Sequence, residues 1–192
     1  MNNFFKFKYV IVIGSSAGGP RILKEIFSGL PMLNGSIIIV QHMPKYINRA
    51  LSENLNEYTD MSVELAQDGM MIEKGKIYVA PSEMHLKLID NKKIQLFSGE
   101  KVNFACPSID VTLQSLKIEI GVKLVGIILT GMGKDGANGI KHIKSLGGIA
   151  IAQDKKTSII YGMPKEAIDT GYVDWILTPD QIKNKLIELA GT

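Results

Sequence analysis

The chain has 192 residues, 45% of them hydrophobic, with 22 Lys and Arg against 19 Asp and Glu and a formal net charge of +3. That composition can bury a full core without staples and suits a single domain over residues 1–192. The charge is too mild, and the basic residues too scattered, for a nucleic-acid binder.

Residues 9–13, Tyr-Val-Ile-Val-Ile, predict a buried strand, and residues 20–28 a helix with proline in its first turn. Residues 36–40 read as a second buried strand and residues 47–58 as a helix. The stretch 77–97 breaks the rhythm. Residues 76–80, residues 84–89 and Lys93–Phe97 are short strands, with Asp90-Asn91-Lys92 as a turn between the last two, and together they predict a small antiparallel insertion. Residues 124–129 form another buried strand, and residues 134–145 a helix closed by Gly147-Gly148. Residues 149–152 are one more strand, and Pro179–Ala190 is a final amphipathic helix. Continuous apolar strands between helices imply an α/β fold with a parallel sheet covered on both faces.

The start, Met1-Asn2-Asn3-Phe4-Phe5-Lys6, lacks the apolar core and cleavage site of a signal peptide. No apolar run reaches the roughly 18–20 residues a membrane helix needs, so no membrane insertion is expected. The one cysteine, Cys106, allows no internal disulfide, and a cytoplasmic location is expected.

Gly14-Ser15-Ser16-Ala17-Gly18 follows the first strand directly and fits G-x-S-x-G, which holds a serine on a tight strand-to-helix turn. Read alone, the motif is open to three uses: a nucleophile, a phosphate cradle at the helix N-terminus, or a plain turn. It lacks the lysine of a P-loop, and Ser16 breaks the G-x-G-x-x-G pattern.

An activated serine needs a base, an orienting group and an oxyanion hole. His42 follows the second strand, at the carboxyl edge where ligands gather in an open parallel sheet; the competing use is a loop histidine capping that strand. Neighbouring first and second strands would bring Ser16 and His42 into one crevice. Asp135, in Thr130-Gly131-Met132-Gly133-Lys134-Asp135-Gly136, follows a third strand. It could accept from an imidazole Nδ1–H, or it could be a first-turn carboxylate of its own helix. Gly131 and Gly133 let backbone N–H groups converge into an oxyanion hole.

The other candidates read as structural. His85, in the antiparallel insertion, is structural or solvent-facing, His142 lies on a helix surface, and Cys106 is a buried or incidental thiol. No Cys/His cluster has metal-ligand spacing, so neither metal nor cofactor is expected. The order Ser–His–Asp differs from the Ser–Asp–His order of α/β-hydrolases.

At these residues the chain resembles the catalytic domain of the CheB family, the chemotaxis protein-glutamate methylesterases. The matching stretches are Ile13-Gly14-Ser15-Ser16-Ala17-Gly18-Gly19, Gln41-His42-Met43-Pro44, Val79-Ala80-Pro81, Pro107-Ser108-Ile109-Asp110, Leu129-Thr130-Gly131-Met132-Gly133-Lys134-Asp135-Gly136 and Tyr161-Gly162-Met163-Pro164-Lys165-Glu166-Ala167. The resemblance implies a doubly wound, mostly parallel, Rossmann-like three-layer sheet. It implies hydrolysis of γ-glutamyl methyl esters on the cytoplasmic helices of methylated chemoreceptors. Deamidation of receptor glutamines, which some members perform, comes with it. By the same resemblance Ser16 is the nucleophile, His42 the general base and then acid, and Asp135 its orienting group. The Met132 N–H, with the serine turn at Ala17, supports the oxyanion.

Ala17 stands where many members carry threonine, and Phe104-Ala105-Cys106 stands where typical members place arginines. The motifs are those of the catalytic domain alone, so a stand-alone esterase without a receiver domain, or a relative with a separate regulatory partner, is expected. Two other readings of the same turns are a non-catalytic binding module and a hydrolase of small esters.

Overall fold

Elements alternate from strand to helix along most of the chain, of which the computed structural model describes residues 7–191. The first half runs β1 (Tyr9–Ser15), α1 (Gly19–Phe27), β2 (Gly35–Gln41), α2 (Asn48–Asn56), β3 (Ser62–Leu65), β4 (Lys76–Val79), β5 (His85–Ile89) and β6 (Lys93–Phe97). The second half runs α3 (Ile109–Gln114), β7 (Lys123–Ile128), α4 (Ala137–Ser145), β8 (Ile149–Gln153), α5 (Gly162–Asp169), β9 (Trp175–Leu177) and α6 (Pro179–Ala190). Met1–Lys6, read above as lacking a leader, lies outside the described residues.

Seven strands form one sheet in the order β3-β4-β2-β1-β7-β8-β9, and every pairing in it is parallel. Side chains alternate across a strand, so β1 feeds two cores. Ile11 and Ile13 pack with α1, α2 and α6 residues such as Leu23, Leu51 and Leu186. Val10 and Val12 pack with α3, α4 and α5 residues such as Leu113, Ile140 and Met163. Each fully buried side chain of this kind contributes about 1.5–3 kcal/mol. The doubly wound three-layer α/β architecture is therefore as expected.

Residues 76–80, expected in the antiparallel insertion, instead provide β4 of the main sheet, parallel to both β2 and β3. Among the described strands only β5 and β6 pair antiparallel, around a turn in which Asp90 and Asn91 both have positive φ. An apolar strand pattern carries no direction; the connection before β4 sets it.

The helix expected from residue 134 begins at Ala137. Gly136 interrupts it, with φ 100° in the left-handed region. β3, α3, α5 and β9 were not anticipated. They are short, and β9 is largely exposed.

The chain leaves β1 toward β2 on one side and returns to its other side at β7. This reversal opens a crevice beyond the carboxyl ends of the strands. Among the described residues no helix is long and apolar enough to cross a membrane.

Candidate active site

Three loops meet at that crevice, and backbone bonds lace them together. In the β1–β2 register Ser15 faces Gln41, which sets Ser16 and His42 one step beyond the paired ends. The His42 N–H donates to the Ser15 carbonyl at 2.9 Å, and the Ser16 N–H donates to the Thr130 carbonyl, beyond β7, at 3.0 Å. Gln41 ties the first two loops more firmly. Its Nε2 donates to the carbonyls of Ser16 and His42, both at 2.8 Å, and its Oε1 accepts from Ser15 Oγ at 2.6 Å. Ser15 is thus committed to the interior and supplies no hydroxyl to the pocket.

Ser16, His42 and Asp135 all line one open pocket of about 400 Å³. His42 Nε2 lies 2.9 Å from Asp135 Oδ2. The contact considered from sequence was to the Nδ1–H. Here the carboxylate takes the Nε2–H, which assigns the tautomer and leaves Nδ1 as the nitrogen free to accept a proton. Ser16 Oγ makes no hydrogen bond to protein among the described residues.

Asp135 is not a first-turn carboxylate of its own helix. It precedes α4, its side chain is 3% exposed, and it accepts at the start of α3 instead. The Ile109 N–H donates to it at 2.7 Å, the Asp110 N–H at 3.1 Å and Ser108 Oγ at 2.8 Å. Burial pushes the carboxyl upward. The bonds from His42, Ile109, Ser108 and Asp110 outweigh that, and its pKa falls below the ordinary value.

Asp110 does the reciprocal work, accepting from the N–H groups of Gly136 at 3.0 Å and Gly139 at 2.6 Å at the start of α4. Its pKa is raised, by burial first and also by the negative charge of Asp135 beside it. Asn103 bridges the two aspartates, its Nδ2 donating to Asp110 Oδ2 at 2.8 Å and to Asp135 Oδ1 at 3.2 Å. Neither Asp110 nor Asn103 was singled out from sequence, although Asp110 lay inside a recognised motif. The available signal was Ser108 followed by Asp110, an N-cap with an acid in the first turn.

Ala17 and Met132 both line the pocket, and neither backbone N–H makes a hydrogen bond among the described residues. Thr130 Oγ1 steadies the serine turn from behind, 3.0 Å from the Ala17 carbonyl, and accepts from the Ile160 N–H at 2.9 Å. Gly131 leaves room for Ser16: a Cβ there would meet Ser16 Cβ at 2.7 Å and collide with Met163 Sδ.

The remaining histidines are structural. His85 is buried; its Nδ1 accepts from the Ser108 N–H at 3.2 Å, and its Nε2 lies 2.8 Å from the Glu100 carbonyl. His142 Nε2 lies 2.9 Å from the Leu116 carbonyl. Cys106 is partly exposed and lines the pocket, and burial pushes its thiol pKa up. Among the described residues no group of three or more His, Cys, Asp or Glu could hold a metal ion.

Fold and site together define a class: doubly wound parallel α/β proteins that gather serine, histidine and aspartate at the topological switch point. Within that class the chain belongs to the CheB methylesterase family, whose model, described as CheB methylesterase, matches residues 11–186. It is 41% identical over 184 residues to the protein-glutamate methylesterase/protein-glutamine glutaminase of Thermotoga maritima, covering 94% of this chain and 54% of that protein. The protein of the same name from Haloarcula marismortui is 41% identical over 187 residues, covering 95% of this chain and 51% of that one. The crystal structure of the Thermotoga maritima CheB methylesterase catalytic domain matches with a TM-score of 0.86 at 39% identity, covering 95% of this chain and 98% of that one. The chain spans about half the length of the curated relatives it matches.

Proposed function

We propose that residues 1–192 act as one catalytic domain that hydrolyses γ-glutamyl methyl esters of proteins, with Ser16 as nucleophile, His42 as general base and Asp135 as its orienting group. The observation that carries this reading is the hydrogen bond from His42 to a buried carboxylate in the pocket that Ser16 also lines. An ionised Asp135 holds the ring and stabilises the imidazolium that forms.

His42 Nδ1 takes the proton of Ser16 Oγ, and the oxygen attacks the ester carbonyl. The N–H groups of Met132 and Ala17 hold the oxyanion. The tetrahedral species collapses, the C–O bond to the methoxy group breaks, and His42 returns its proton so that methanol leaves. Water then attacks the glutamyl–Ser16 ester with His42 again as base, releasing the glutamate carboxylate and restoring the serine. A glutamine side chain follows the same course with ammonia as the leaving group. These steps draw only on the chain's own residues and water.

The natural substrate on this reading is the methylated cytoplasmic helix region of chemoreceptors, which places the enzyme in the cytoplasm. Family membership supports that substrate class. Methanol release from methylated chemoreceptor membranes, wild type beside Ser16→Ala, tests the proposal. Release that disappears in the variant establishes reaction and nucleophile together. Because Ser16 Oγ bonds no protein group among the described residues, the variant should melt with the wild type. Equal release from both proteins removes Ser16 from the mechanism, and none from folded wild type leaves a binding module.

A further inference from the structure

Val102 and Ala105 exchange backbone hydrogen bonds of 3.0 Å in both directions. The two residues between them have positive φ, 49° at Asn103 and 65° at Phe104. Positive φ at both central positions is the type I′ pattern, which favours glycine, asparagine and aspartate. Asn103 fits it. Phe104 does not, because a bulky side chain is strained in the left-handed region.

Burial does not offset that strain, since Phe104 is 95% exposed. The residue lines the pocket that holds Ser16 and His42, together with Met132 and Ile160. Those two are also exposed, 76% and 38% respectively. The turn is anchored as well: Asn103 Nδ2 bonds both buried aspartates beneath it. A strained, solvent-facing aromatic is therefore presented at the mouth of the site on a turn pinned to the site's own carboxylates. Strain retained at such a place points to function, and exposed apolar surface beside a site points to contact.

We infer that Phe104 determines specificity by receiving an apolar side chain that flanks the esterified glutamyl residue of a polypeptide substrate, with Met132 and Ile160 completing the contact. The inference rests on the esterase reading above. The residues flanking the ester in a polypeptide must lie across this rim, and an apolar neighbour buries its surface there.

The test uses two peptides, each bearing one glutamyl γ-methyl ester, flanked by leucine in one and by serine in the other. Methanol release gives kcat/KM for wild type, Phe104→Gly and Phe104→Leu. Wild type should prefer the leucine-flanked peptide. Phe104→Gly should cut that preference about tenfold, the scale of one lost apolar contact, through KM more than kcat. Phe104→Leu should retain most of it. Glycine relieves the strained φ, so the melting temperature of Phe104→Gly should equal or exceed that of wild type; a clear fall overturns the premise of strain. If wild type hydrolyses both peptides and the glycine variant keeps the same ratio, the role of Phe104 is overturned and the esterase reading stands. Hydrolysis of neither peptide by wild type overturns both.

Discussion

Asp135 is where single-residue chemistry concentrates. One carboxylate accepts from His42, Asn103, Ser108 and the N–H groups of Ile109 and Asp110. In Asp135→Asn one acceptor becomes a donor that faces other donors. Turnover should fall on the order of 10⁴-fold, since the imidazole loses its orienting charge. Stability should fall by roughly 3 kcal/mol, because buried donors lose their partner. Steady-state kinetics and urea unfolding of the same preparation check the two effects together. A near-normal rate with lowered stability would make Asp135 a cap and nothing more. Ser16, His42 and Asp135 could each be selected from sequence because each closes a strand with a recognisable turn. Gln41 and Asn103 could not, because their work is done across 25 and 32 residues of chain, beyond any local pattern, and for Asp110 the local N-cap signal carries nothing of its bond to Gly139, 29 residues away.

At the scale of elements, α3 and α4 exchange caps. Asp135, just before α4, satisfies N–H groups that open α3, and Asp110, in the first turn of α3, satisfies those that open α4. Ser108 is the hinge of this exchange, accepting from the Val111 N–H as N-cap and donating to Asp135. Ser108→Ala should cost about 1–2 kcal/mol of stability and lower kcat more than it raises KM, because Asp135 is loosened while the pocket wall stays. Thermal melting and a kcat–KM split measure both; an unchanged kcat would confine Ser108 to helix capping. Gly131→Ala acts on the neighbouring loop. Its Cβ drives against Ser16 Cβ, so ester turnover should drop steeply, and wild-type activity in that variant would mean that the serine turn yields freely. The final helix shows the opposite situation. Thr178 and Gln181 form a reciprocal capping box with Pro179 at the first position, and every signal for α6 lies within four residues. Its bounds are those expected from sequence, whereas α4 starts later than expected, after the left-handed Gly136, and takes its cap from α3.

For the whole molecule, the two aspartates pull the acid stability in opposite directions. The folded pKa of Asp135 lies below its ordinary value of 3.8. Its contribution is present above pH 3.8 and is lost as pH falls through the lower folded value. Asp110 has a raised folded pKa, so its ionisation costs stability as pH rises through that value. The acid limb of wild type should therefore fall more steeply below pH 3.8 than that of Asp135→Asn. Urea midpoints measured down to the acid transition check this, and parallel limbs would show that Asp135 does not stabilise the fold through its charge.

From sequence alone came the strand-to-helix alternation, the parallel sheet with two covered faces, and the three turns carrying Ser16, His42 and Asp135. These rest on apolar runs, glycines and proline, which act within a few residues of themselves. Tertiary structure alone decided that β4 joins the parallel sheet, that Asp135 caps α3, that His42 offers Nε2 to it, and that Phe104 faces the pocket. His42 and Asp135 lie 93 residues apart. Whether their side chains meet, and through which nitrogen, depends on sheet order and loop packing, which local propensity does not encode.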